Sequence, residues 1–195
     1  MMPATKHDII VIGGSAGSIP VVSAIVDGLS PSLNVPVIIV LHRQRNVNSE
    51  MTRIFQSKSR KIKVTEPEDK EPVLPGHIYL APQNYHLLIE QEKCFSLDYS
   101  EQVHFSRPSI DVTFESVANV YGSKTLAILL SGANKDGTNG VEYILQHNGK
   151  VLVQDPATAE YPAMVRFAIE KCSKVIVYSP EELVQYIASV STNDA

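Results

Sequence analysis

A glycine-flanked serine, a histidine and two aspartates are the residues here whose types and positions suit acyl transfer. Ser15 lies in "GGSAG" (Gly13 to Gly17), which satisfies the G-x-S-x-G pattern of nucleophile elbows. A serine hydroxyl is a weak nucleophile near neutral pH. It needs a base for its proton, a carboxylate to orient that base, and N–H groups to receive the developing oxyanion. His42, directly after "VPVIIVL", is the candidate base. Asp136 in "NKDG" and Asp155 after "KVLVQ" are the candidate carboxylates, and spacing does not choose between them.

Two other readings of the glycine turn compete with the nucleophile. One is phosphate binding at a helix N-terminus. "GGSAGS" lacks the GK[ST] ending of a P-loop and the G-x-G-x-x-G spacing of a dinucleotide site. The other is purely structural, with Ser15 as a helix N-cap.

The elements that must position these residues follow from the hydrophobic pattern. "DIIVIG", "VPVIIVL", "TLAILLS", "KVLVQD" and "KVIVYS" are short apolar runs suited to strands buried on both faces. Helical spacing separates them. "IPVVSAIVDGL" ends near Gly28, and "NSEMTRIFQSK" has Asn48 or Ser49 as its cap. "RPSIDVTFESVANVYG" has Pro108 near its first turn, and "NGVEYILQHNG" closes at Gly149; "MVRFAIEKC" and "PEELVQYIASV" follow. Between about 61 and 102 the texture changes to short alternating runs, "KIKVTE", "HIYLAP", "YHLLIEQ" and "KCFSLDY", which predict antiparallel strands or hairpins.

The result is one doubly wound, mostly parallel α/β domain over residues 1–195, Rossmann-like and three-layered, with a β-hairpin insertion at about 61–102. In such sheets ligands lie beyond the carboxyl ends of the strands. If the first strand lies between the second and "TLAILL", then Ser15, His42 and the Asn134–Asp136 loop meet at one edge. His7 and Asp8 fall at the opposite edge. His147 is expected to be exposed, His77 and His86 partly buried in strands, and His104 is left open.

Bulk properties exclude several classes. The formal net charge of −4 argues mildly against nucleic acid, which would favour a concentrated basic surface. The one basic cluster, "KSRKIK", precedes "EPEDKE" and predicts a solvated helix end. Cys94 and Cys172 have no CxxC partner, so two reduced thiols are expected, with no metal or cofactor. No apolar run reaches the length of a membrane span and no signal peptide is visible, which predicts a cytoplasmic protein without membrane insertion.

Taken in order, the motifs resemble the chemotaxis protein-glutamate methylesterases (CheB-type). "GGSAGS" resembles that family's nucleophile motif and "VLHR" its histidine after the second strand. "PGHIYLAPQNYHLLI", "RPSIDVTFES", "LLSGANKDG" and "QDPATAEYPAMVRFAI" are similar to its later segments. The resemblance implies Ser15 as nucleophile, His42 as general base and acid, and Asp136 rather than Asp155 as the orienting carboxylate. It implies hydrolysis of glutamyl methyl esters, and deamidation of glutamine, on the cytoplasmic domains of methyl-accepting receptors. Backbone donors at Ala16, Gly17 or Ala133 would serve the oxyanion site, which Asn134 would either aid or obstruct. Ala16 stands where the family often has threonine, Ser18 where it has glycine, and Ala133 and Asn134 where it has methionine and glycine. The alternative is a weak or inactive binding or regulatory module on the same fold; a small-molecule esterase is the third reading. The first core strand begins at about Asp8, leaving no room for the family's N-terminal receiver domain, so control by a separate receiver protein, or constitutive activity, is expected.

Overall fold

The computed structural model describes residues 7–43, 50–59 and 61–191. In chain order its elements are β1 (Ile9–Gly14), α1 (Ile19–Gly28), β2 (Val37–Leu41), α2 (Met51–Lys58), β3 (Lys63–Thr65) and β4 (His77–Leu80). The antiparallel ribbon β5 (His86–Ile89) and β6 (Phe95–Asp98) follows. Then come α3 (Ile110–Tyr121), β7 (Thr125–Leu129), α4 (Thr138–Gln146), β8 (Lys150–Gln154), α5 (Ala163–Lys171), β9 (Ile176–Tyr178) and α6 (Pro180–Ser191). Seven strands form one sheet in the order β3-β4-β2-β1-β7-β8-β9, and every pairing in it is parallel.

The apolar runs are unbroken because the central strands are covered on both sides. Ile10 and Ile12 of β1 point into one core with Val22, Ile25 and Val26 of α1, Phe55 of α2, and Leu183 and Ile187 of α6. Ile9 and Val11 point into the other, with Phe114 and Val117 of α3, Val141 and Ile144 of α4, and Val165 and Ala168 of α5. Chain direction explains this division. β1 to β2 moves one way along the sheet and β7 to β8 to β9 the other. Crossovers of one hand therefore place α1 and α4 on opposite faces. β1 lies between β2 and β7, the arrangement that brings the candidate residues to one edge. Among the described residues no helix is long and apolar enough to cross a membrane.

The expectation for 61–102 is corrected in part. "KIKVTE" and "HIYLAP" supply β3 and β4, which join the main sheet in parallel; β4 carries its edge outward from β2. Their brevity, three and four residues, gives too few positions to separate a buried parallel strand from an alternating one. Only β5 and β6 form an antiparallel hairpin, packed through Leu87, Ile89 and Phe95 against the α3 face.

Smaller differences lie at helix ends. α1 is capped at Ser18, so Ser15 is not an N-cap; the Ser18 hydroxyl donates to Ser15 O at 2.6 Å. α3 starts at Ile110 behind the cap Ser109, leaving Pro108 outside its first turn. Asn48 and Ser49 lie outside the described residues. His147 is half-buried rather than exposed, its ring 4.5 Å from that of Tyr143.

α3 lies directly on β1. A β-carbon on Gly13 would come within 2.5 Å of Ile110 Cγ2 and 3.1 Å of Phe114 Cζ. Phe114 is fully buried at this contact. Phe114→Ala is expected to destabilise the fold by about 3–5 kcal/mol in urea unfolding, through lost burial and a cavity beneath the site.

Candidate active site

The three strand ends are aligned by backbone bonds that continue past the sheet. Gly14 and Leu41 are register partners, and His42 N donates to Gly14 O at 3.3 Å. Leu130 N donates to Gly13 O, and Ser15 N to Ser131 O, both at 2.9 Å. Ser15, His42 and the loop after β7 therefore leave the sheet at the same edge. The glycines at this turn have separate causes. Gly17 has φ +76°, and a β-carbon there would meet Glu160 and the Ser131 hydroxyl. A β-carbon on Gly14 would lie 2.7 Å from Ser18.

Asp136 is fully buried and its carboxylate is the best-satisfied group at this edge. Oδ2 accepts from His42 Nε2 at 2.7 Å and Ile110 N at 2.8 Å. Oδ1 accepts from the Ser109 hydroxyl at 2.9 Å and from the amides of Asp111 and Gly137 at 3.0 Å. Ile110 and Asp111 are the first residues of α3, so the carboxylate occupies the positive end of that helix. Burial pushes its pKa up, but the bonds from His42 and from the Asp111 and Ile110 amides outweigh it and hold it below the ordinary carboxylate value. Asp155 is no rival: its carboxylate accepts from Ala157 N in a turn after β8. Geometry thus separates two aspartates that spacing left equivalent.

An ionised Asp136 fixes the imidazole tautomer. Nε2 carries the hydrogen and Nδ1 presents its lone pair. The His42 side chain is 12% exposed and lines a cleft of about 450 Å³ with Ser15, Arg43, Ser106, Arg107 and Asn134. Ser15 is half-buried there. The hydroxyl within hydrogen-bond distance of Nδ1, however, is that of Ser106, at 3.2 Å.

The expected oxyanion residues divide. Ala16 and Gly17 follow Ser15 in the turn, and Ala133 is exposed in the loop after β7. Asn134 lines the cleft with its side chain already engaged. Its Oδ1 accepts from Asp136 N at 3.1 Å and its Nδ2 donates to His104 O at 3.4 Å, so it braces the aspartate loop.

A family model described as CheB methylesterase matches residues 10–187. The chain belongs to the CheB methylesterase family. A relative from Leptospira interrogans, named putative protein-glutamate methylesterase/protein-glutamine glutaminase, is 42% identical over 189 residues, covering 97% of each chain. A protein-glutamate methylesterase/protein-glutamine glutaminase from Thermotoga maritima is 33% identical over 87% of this chain, which spans 50% of that relative's length. The crystal structure of the Thermotoga maritima CheB methylesterase catalytic domain superposes with a TM-score of 0.84. It is 31% identical and covers 92% of this chain and 98% of its own. The CheB fold is thus the one described above.

Several residues at this edge went unrecognised in the sequence. His86 is buried: it accepts from Ser109 N on Nδ1 at 3.1 Å and bonds Glu101 O through Nε2 at 2.9 Å, tying the segment before α3 in place. Gln154 accepts from Ser131 N at 3.0 Å. Arg43, its side chain 4% exposed, pairs with Glu66 at 2.8 Å. Only "RPSID" hinted at such roles, as a helix start rich in small donors.

Because Asp136 has a depressed pKa in the fold, its ionisation stabilises the protein above the unfolded carboxylate pKa of about 3.9, and that contribution is lost as pH falls through the lower folded value. Asp136→Asn is therefore expected to be less stable than wild type at neutral pH, with the gap closing in acid. Urea unfolding of both proteins across pH checks this.

Proposed function

We propose that the chain is a serine hydrolase that removes methyl esters from glutamyl side chains, and ammonia from glutamine, on the cytoplasmic domains of methyl-accepting receptors. Ser15 is the nucleophile, His42 the base and acid, and Asp136 the orienting carboxylate. The observation that carries this reading is the 2.7 Å His42 Nε2–Asp136 Oδ2 bond, with the opposite ring nitrogen turned to the cleft that Ser15 lines. Family membership and the printed names of the relatives support the substrate class.

The chemistry runs through Nδ1. As Ser15 Oγ bonds to the ester carbon, its proton passes to His42 Nδ1, and charge builds on the carbonyl oxygen beside the turn after Ser15. Collapse breaks the C–OCH₃ bond, and the Nδ1 proton leaves with methanol. Water then gives its proton to Nδ1 and attacks the acyl-serine; the same proton returns to Ser15 as glutamate is freed. With glutamine the leaving group is ammonia. Asp136 holds the tautomer and stabilises the transient imidazolium.

A binding module on this fold is the second reading, favoured by one observation: Nδ1 bonds Ser106 rather than Ser15. Catalytic hydrogen bonds are often loose without substrate, which keeps the hydrolase ahead. Methanol release from methylated receptor fragments decides between them. Ser15→Ala and His42→Ala are each expected to lower the rate about 10⁴–10⁶-fold, and Asp136→Asn about 10⁴-fold, measured where each variant is folded. Turnover that survives Ser15→Ala overturns the nucleophile; no turnover by wild type on any receptor favours the binding module.

A further inference from the structure

Ser106 reaches the base through an unusual piece of backbone. Val103 and Ser106 exchange both backbone hydrogen bonds, Val103 N to Ser106 O at 3.2 Å and Ser106 N to Val103 O at 2.9 Å. The two residues between them, His104 and Phe105, have φ +48° and +62°. This is a two-residue turn of the type that favours glycine and asparagine at both central positions, built here from a histidine and a phenylalanine. Such backbone costs free energy and persists only where its surroundings hold it.

The turn is held from three sides. Asn134 Nδ2 donates to His104 O, the His104 ring lies 3.3 Å from the buried Asp111 carboxylate, and Arg107 Nη1 donates to the carbonyls of Tyr99 and Ser100. Arg107 also stacks 3.8 Å over the Tyr99 ring. The product of this scaffolding is one hydroxyl, Ser106 Oγ, 3.2 Å from His42 Nδ1.

An imidazole Nδ1 has a single lone pair in the ring plane, so it accepts one well-aligned hydrogen bond at a time. With Nε2–H committed to Asp136, the Ser106 hydroxyl must be the donor to Nδ1. Ser15 needs that same lone pair.

We propose that Ser106 is a positioning residue that acts through His42: it occupies the lone pair of the base in the substrate-free protein and competes with Ser15 for it. This rests on Ser15 and His42 being nucleophile and base. The base is masked by a neutral hydrogen bond, and acylation proceeds from the fraction of molecules in which Ser15 has replaced Ser106. Phe105, 95% exposed at the tip of the turn, makes the hairpin the outer wall of the cleft that an incoming chain meets.

Two measurements on the intact protein test this. The first reads the contact itself, by the ¹⁵N resonance of His42 Nδ1, assigned with His42→Gln, at a pH well above the histidine range. It is expected to move in Ser106→Ala and to stay in place in Ser15→Ala. Movement in Ser15→Ala alone, or in neither, overturns the proposal. The second is the second-order rate of Ser15 labelling by a small phosphonate, with the label mapped by peptide mass. Ser106→Ala is expected to raise it about two- to tenfold, the equilibrium value of one neutral hydrogen bond, and Ser106→Thr, which restores the hydroxyl, to return it toward wild type. A fall or no change in Ser106→Ala overturns the masking while leaving the triad intact. Absence of Ser15 labelling in wild type and Ser106→Ala alike overturns the hydrolase reading, and the masking with it.

Discussion

One buried negative charge organises this molecule. Removing a carboxylate from water costs several kcal/mol unless donors surround it, and Asp136 gathers five, from His42, Ser109, Ile110, Asp111 and Gly137. Those donors come from β2's end, the cap and first turn of α3, and the loop before α4. Gly137 accommodates this with φ +93°, and its absent side chain leaves room for Leu129 and Ile110. The site is thus a solution to a burial problem, and the imidazole is one of the donors that solves it.

The neighbouring carboxylate shows how finely environment divides like groups. Asp111 is buried in the same helix start, but burial and the nearby Asp136 charge push its pKa up, against the opposing Gly140 amide and His104. Its Oδ1 accepts from Gly140 N at 2.8 Å, joining α3 to α4. Two neighbouring aspartates are therefore driven in opposite directions, one kept ionised beside His42 and the other made less acidic as a helix-to-helix tie. Pairs pushed apart in this way are a mark of functional edges.

Much of this was legible in the chain. Four buried-strand runs and the helices between them are read correctly because both faces of those strands are covered. "KVIVYS" is corrected: it forms β9, a three-residue strand at the sheet edge with Ile176 and Val177 exposed, because among the described residues no further strand and little helix cover it there. Ser15, His42 and Asp136 do meet at one sheet edge, although residue types and spacing left Asp155 equal to Asp136 until coordinates, or likeness to a family, separated them. β3 and β4 were misread because three or four residues carry no dependable period. Ser106 was invisible for a different reason. Nothing about a serine beside "RP" shows that His104 and Phe105 bend backward through positive φ, since the groups that meet His104, Asn134 and Asp111, come from elsewhere in the fold.

The parallel sheet has a consequence in time. His42 and Asp136 are 94 residues apart, and they touch only after β1 has taken its place between β2 and β7. Parallel pairings demand closure of long loops before any contact rewards it, which makes them late and slow to form. Among the described residues, no hairpin or single βαβ unit contains both His42 and Asp136. The His42–Asp136 bond is therefore a product of the completed sheet and of no single local element.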